Sequence, residues 1–298
     1  MRTTTLATAL AATLLLAACQ HAPKLVQLPV TQTVVAEVGS DAHDNLNAVL
    51  WVQASAEYDA AALSVYNAAA ARLDDALADP AWDALAPALR SNPDALPSLP
   101  PAVVLDLDET VLDNAPYQAR MVTDGTSFED DTWAAWVEER AAGAVPGVAD
   151  FTRTALARGI AIVYLSNRTH AMEAATLENL RTLGIPAGEG VVYLGKGAPG
   201  CEQAGSDKDC RRRLVAERFR VLMLFGDQLG DFLEPAGETP VARQAVVDGH
   251  AGWFGERWWM LPNPTYGDWE PALYERDWSL SPEARRAAKR HALDTTAP

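Results

Sequence analysis

The sequence predicts an α/β fold, a parallel sheet core flanked by helices on both faces. Apolar runs of strand length alternate with helical stretches from residue 101 onward. The runs at 102–105, 160–165 and 221–225 each stop abruptly at small polar or acidic residues. A length of 298 residues with 49% hydrophobic content suffices for one large α/β domain, or for a core with a small cap.

The elements follow in chain order. Arg2 precedes an apolar stretch over 6–18, shorter than the roughly 20 residues of a membrane span. Its end, Leu16-Ala17-Ala18-Cys19, resembles a bacterial lipoprotein signal, in which Cys19 would be lipidated and become the mature N-terminus; an ordinary signal peptide cut elsewhere is the alternative. Gln20 after that cysteine favours, by the same resemblance, the outer membrane. The expectation is an exported lipoprotein held to a membrane at Cys19. Residues 20–40, with Pro and Thr and little periodicity, suit a tether.

Residues 41–100 read as an N-terminal helical segment. Leu46, Leu50, Ala54, Tyr58, Ala61, Val65 and Ala69 recur at helical spacing until Pro80, and shorter helical pattern over 77–99 is broken by Pro87, Pro93 and Pro97. The first strand, 102–105, opens the core, which extends to about 270. A second helical block over 113–146 contains Trp133, Trp136 and Val137. Then come helix 147–158, strand 160–165, helix 170–183, strand 191–194, helix 209–218 and strand 221–226. A last strand over 258–261 precedes Pro262; Trp253, Trp258 and Trp259 read as core or strand residues. Residues 271–298 form a tail with a basic helix over 281–293.

Asp106 and Asp108 close the first strand. A strand's side-chain period of two sends both carboxylates the same way, and ligands bind at the carboxyl ends of strands in open α/β sheets. Two carboxylates so close repel unless a proton or cation lies between them. The pair suits a nucleophile beside an acid/base; a solvated strand end feeding an acidic turn is the plain alternative. Downstream, strand 160–165 ends in Ser166-Asn167-Arg168, and strand 221–225 leads through Gly226 to Asp227 and Asp231, with Lys208 between. Alone, Ser166 reads as a strand-end cap and Lys208 as a surface lysine. Arg168 and His170 read as surface residues.

The order Asp/Asp, Ser, Lys, Asp/Asp resembles the four motifs of the haloacid-dehalogenase-like (HAD-like) phosphohydrolases. The segments VVLDLDETVLDN, VYLSNR and LFGDQLGDF are similar to the class C bacterial acid phosphatases, which include lipoprotein 5′-nucleotidases of outer membranes. The likeness runs from about 44 to 269. It implies a HAD-like core with a helical cap inserted at 113–146. It further implies Asp106 as nucleophile, Asp108 as acid/base, and Ser166, Asn167 and Lys208 around the phosphoryl group, with Lys196 a competitor for the lysine role. Oxygen ligands from Asp106, Asp227 and the main-chain carbonyl of Asp108 suit Mg²⁺, with Asp231 orienting them. An aromatic box would fall on Trp133, Tyr266 and Trp269, with weaker support for Tyr117.

The expected activity is Mg²⁺-dependent hydrolysis of phosphate monoesters, namely nucleoside monophosphates and aryl phosphates, through an aspartyl phosphate. A phosphatase for sugar or lipid phosphates and a non-catalytic binding lipoprotein are the alternatives. Phosphoryl transfer from ATP is disfavoured, as no GxxxxGK[ST] loop is present. A net charge of −16 without a basic stripe argues against nucleic acid as a partner. The expected partners are small phosphate esters and a membrane, and a homodimer is left open. In an exported chain Cys201 and Cys210 are expected to pair, the alternative being two free thiols. Zinc is disfavoured by too few Cys and His at ligand spacing.

Overall fold

The computed structural model describes residues 43–296, so Cys19 and the expected tether lie outside the described residues. Five strands form one parallel sheet: β1 (Pro101–Leu105), β4 (Ala161–Thr169), β5 (Val191–Lys196), β6 (Arg220–Gly226) and β7 (Trp258–Met260), in the order β5-β4-β1-β6-β7. The central place of β1 sets its carboxyl end between those of β4 and β6. The three strand ends singled out by their polar termini are therefore neighbours.

Both faces of the sheet are covered, which is why β6 is buried at every residue. Along β1, Val103 and Leu105 face one cluster with Tyr66, Ala69 and Leu73 of α2 (Ala56–Ala78) and Phe151 and Ala155 of α5 (Val148–Ala157). Ala102 and Val104 face the other, with Val215 and Ala216 of α7 (Asp209–Arg218) and Val246 of α8 (Pro240–Gly249). The alternation is the period of two expected of a strand. Trp258 and Trp259 are core residues, as expected.

Several elements differ from expectation. The helical stretch before Pro80 is two helices, α1 (Leu46–Ala54) and α2, because Ser55 turns to an extended conformation and its hydroxyl accepts the Tyr58 N–H at 3.1 Å. The proline-broken pattern after it forms only short 3₁₀ turns, Pro87–Leu89 and Pro93–Ser98. Helix α8, capped by Thr239 with Pro240 in its first turn, was not expected, although that pair is a start signal. The helix expected from 170 is a 3₁₀ turn, His170–Met172, followed by α6 (Glu173–Thr182). Strand β4 continues past Leu165 to Thr169 after a register shift, which matters for the site.

The stretch expected to insert as a cap holds α3 (Ala115–Asp124) and α4 (Asp130–Glu139). A two-residue antiparallel ladder of β2 (Leu112–Asp113) with β3 (Gly143–Ala144) joins its two ends at the base. The basic tail forms α9 (Pro282–His291), capped by Ser281.

Candidate active site

Asp106 leaves β1 with its backbone N–H still donating to the Phe225 carbonyl at 3.0 Å, so it is held against β6. The residue is 8% exposed. Asp227 follows β6 directly, and its Oδ2 accepts from Gln228 Nε2 and Asn263 Nδ2, both at 2.8 Å. One 3₁₀ turn later, Asp231 folds back beneath the strand end. An added Cβ at Gly226 would lie 2.2 Å from the Asp231 side chain, so only glycine admits this carboxylate. Carboxylate oxygens of Asp106, Asp227 and Asp231 lie within 4.8 Å of one another.

The Lys208 ammonium is aimed into this trio. It donates to Asp106 Oδ1 and, at 2.7 Å, to Asp231 Oδ1. Lys208 is 4% exposed and sits where α7 begins, at the end of a loop closed by the Cys201–Cys210 disulfide. Lys196, its competitor, is exposed on the cavity wall. Burial lifts the Asp106 carboxyl well above its usual range, with Lys208 pulling against it and Asp231 and Asp227 adding to it. Burial likewise pushes Asp227 up to about 7, with Asp231 adding and Asn263 and Gln228 opposing. For Lys208, burial pulls downward but Asp106 and Asp231 outweigh it, so its ammonium is held charged. Three enclosed carboxylates share one lysine. That imbalance, with hard oxygen donors only, fits a divalent cation.

Asp108 accepts at a single oxygen. Arg168 Nε (2.9 Å), Arg168 Nη2 (2.7 Å) and Asn114 Nδ2 (2.9 Å) all donate to Oδ1. Arg168 was expected at the surface and is instead 2% exposed. The longer β4 turns it inward, where Thr176 Oγ1 (3.2 Å) and Asn114 Oδ1 (3.3 Å) take its remaining donors. His170 is half-buried, 3.5 Å from Glu173.

Ser166 is fully buried and does not line the cavity. Its hydroxyl accepts the Arg168 backbone N–H at 3.0 Å and so caps its strand. Asn167 is exposed and does line the cavity, its Oδ1 held by Arg211 Nη2 at 2.7 Å.

The cavity has a volume of about 1140 Å³, with Asp106, Asp108 and Lys208 among its lining residues. Trp133 on α4 lines it beside Phe128 and Tyr117, at ring-centroid distances of 6.2 and 5.2 Å. Arg168 Cζ stands 5.4 Å from the centre of the Trp133 ring. Tyr266 also lines the cavity, with its hydroxyl donating to the buried Glu109, whose backbone has φ +60°. Trp269 is 43% exposed and is not a lining residue. Its indole N–H donates to the Tyr266 carbonyl at 3.3 Å, which fixes the ring on the outer side of that turn. Phe128 and Asn114 were missed. Asn114 ends the quoted first motif, but nothing in Phe128's neighbourhood marks it.

The chain is similar to several known proteins. The class C acid phosphatase of Bacillus anthracis is 33% identical, with a TM-score of 0.72 over 85% of this chain and 98% of that one. The same enzyme with tungstate bound gives a TM-score of 0.71 at 32% identity over the same shares. Acid phosphatase 1 of Solanum lycopersicum is 28% identical over 44% of this chain and 51% of its own length. The stem 28 kDa glycoprotein of Glycine max is 28% identical over 55% of this chain and 58% of its own. The chain thus spans about half the length of these curated relatives. The family model of the HAD superfamily, subfamily IIIB (acid phosphatase), matches residues 2–269. With nine-tenths of the sequence inside that match, the chain belongs to the HAD superfamily, subfamily IIIB, the acid phosphatases.

Proposed function

We propose that this protein is a Mg²⁺-dependent acid phosphatase that hydrolyses nucleoside monophosphates and aryl phosphates through an aspartyl phosphate on Asp106. One observation carries the reading: the Lys208 ammonium bridges Asp106 and Asp231 beside Asp227, among the lining residues of a cavity large enough for a nucleotide.

Asp106 attacks phosphorus while Asp108 delivers a proton to the departing ester oxygen. Asp108 then takes a proton from water as that water displaces the Asp106 carboxylate, and inorganic phosphate leaves. Lys208 holds Asp106 in place and offsets charge on the phosphoryl oxygens, with Asn167 at the cavity wall as a further donor. An anionic nucleophile meeting a phosphate dianion at ~4 Å faces roughly 4 kcal/mol of repulsion at an effective dielectric near 20. Mg²⁺, held by Asp106, Asp227 and the Asp108 carbonyl with Asp231 at hand, would neutralise that charge. The supporting test is a screen of phosphate esters on the full chain in detergent. Chelation should silence hydrolysis and added Mg²⁺ restore it; indifference to chelator removes the metal from the mechanism.

The aromatic wall favours substrates with a flat leaving group. Stacking on Trp133 is worth roughly 1–3 kcal/mol. Trp133→Ala is therefore expected to raise KM for a nucleoside monophosphate about 10-fold and for a small alkyl phosphate less than about 2-fold. Equal rises would remove the stacking role. Vegetative storage protein 1 of Arabidopsis thaliana, 24% identical over 55% of this chain, motivates a second reading as a non-catalytic storage protein. The Lys208-paired Asp106 argues for turnover instead. The lipoprotein reading of Cys19 and placement at the outer membrane complete the proposal, on the sequence of the leader alone.

A further inference from the structure

We propose that Arg168 is a positioning residue that fixes which oxygen of Asp108 performs the acid/base chemistry: Oδ1 is anchored and Oδ2 works. The inference rests on the phosphatase reading and assigns a division of labour within it.

A free carboxylate has two equivalent oxygens, and rotation about its last bond exchanges them. Here Oδ1 accepts from Arg168 Nε and Nη2 and from Asn114 Nδ2, at 2.9, 2.7 and 2.9 Å. No described residue donates a hydrogen bond to Oδ2, although Asp108 lines the cavity. Charge-assisted bonds from a guanidinium are the strong ones, and two of them on one atom make exchange costly. Arg168 is itself restrained on several sides. Thr176 Oγ1 takes Nη1 at 3.2 Å, Asn114 Oδ1 takes Nη2 at 3.3 Å, and the Trp133 ring covers the guanidinium at 5.4 Å. Asn114 is in turn pinned by the Trp136 indole N–H, donating to its Oδ1 at 2.9 Å. The chain of contacts thus begins on the inserted helix α4, passes through Asn114 and Arg168, and ends on the anchored oxygen.

The step this serves is balanced. The proton on Oδ2 passes to the ester oxygen as its bond to phosphorus breaks and the Asp106–phosphorus bond forms; the products are a neutral alcohol, an aspartyl phosphate and an Asp108 carboxylate. A leaving group that is stable as an anion has little use for that proton. An alkoxide depends on it.

That difference supplies the test. For kcat/KM, which reports the steps through departure of the leaving group, Arg168→Gln is expected to cost about 100-fold or more with ethyl phosphate. With p-nitrophenyl phosphate the loss should stay within about 10-fold, and KM for both should stay within about 3-fold. Arg168→Lys, which keeps the charge but loses the fork, should recover part of the ethyl phosphate rate. Thr176→Val leaves the arginine in place and loosens it, so it should show a smaller split of the same sign, and it covers the case in which Arg168→Gln does not fold. Equal losses on the two esters in both variants, or a rise in KM shared by both, would overturn the assignment in favour of a structural or phosphate-binding role. Asp106→Asn assayed alongside separates the two failures. Turnover persisting in that variant sinks the aspartyl-phosphate reading on Asp106, whereas a dead Asp106→Asn with no ester split sinks only the role of Arg168.

Discussion

Asp106→Asn is expected to lower turnover of a nucleoside monophosphate by about 10³-fold or more and to leave the protein folded. The amide has the shape of the carboxylate but no nucleophilic oxygen anion. The variant should not be fragile, because burial works against the Asp106 charge and the amide relieves that cost. Lys208 keeps Asp231 as its partner at 2.7 Å, so no buried ammonium is stranded. Steady-state assays with a thermal melt check both halves. Residual activity above about 1% of wild type would point to another nucleophile, and a melting point lowered by more than about 8 °C would show that the carboxylate is needed for folding.

Lys208→Met should have the second largest effect, and it should act on stability and rate together. The substitution keeps an unbranched chain of similar length and removes the one cation that, among the described residues, pairs with both Asp106 and Asp231. Breaking a buried pair by deleting one partner typically costs about 3–5 kcal/mol. Without added divalent cation the variant is therefore expected to unfold at markedly lower denaturant than wild type. Mg²⁺ should restore part of the loss, since ligand binding to the native state stabilises it by mass action. The rate should drop about 10²–10³-fold even with Mg²⁺, because charge on the phosphoryl oxygens loses its fixed counterpart. Lys196→Met, on the exposed cavity wall, should alter the rate less than about 3-fold. A reversal of the two lysines would exchange their roles.

How much of this was legible depends on whether a signal is local. An apolar run followed by an acidic turn is local, so β1, β4 and β6 and the acidic groups after β1 and β6 could be read directly. The pairing order that makes them neighbours is not a local property, and only the structure supplies it. The disulfide was legible from the compartment argument and the short spacing, and Cys201 and Cys210 are indeed joined. Arg168 was not legible, since its inward turn depends on a register shift in β4 after Leu165, a property of the pairing with β5. Ser166 had the right neighbours in sequence, and its hydroxyl accepts the Arg168 amide, a local side-chain-to-backbone bond that the sequence also allowed as a strand-end cap. Trp269 illustrates a different limit. The resemblance singled out its position beside Tyr266, yet which side of the chain an aromatic ring takes is decided by tertiary packing. The reading of one continuous helical stretch before Pro80 failed at Ser55, because a capping hydroxyl interrupts a pattern that apolar spacing alone carries through.

The bare position at 226 reaches beyond the chemistry it permits. Any heavier residue there would evict the acid folded beneath it, so heritable change at the mouth of β6 is closed off. The helices between 115 and 139 hold no such position on their exposed faces, although Tyr117 and Trp136 are anchored in the core. A lineage diverging from this ancestor would thus keep its reacting centre while trading the rings that greet the visiting ester. Variety in diet, on this scaffold, should be written into the exposed rings of the insert and into the turn that carries Tyr266.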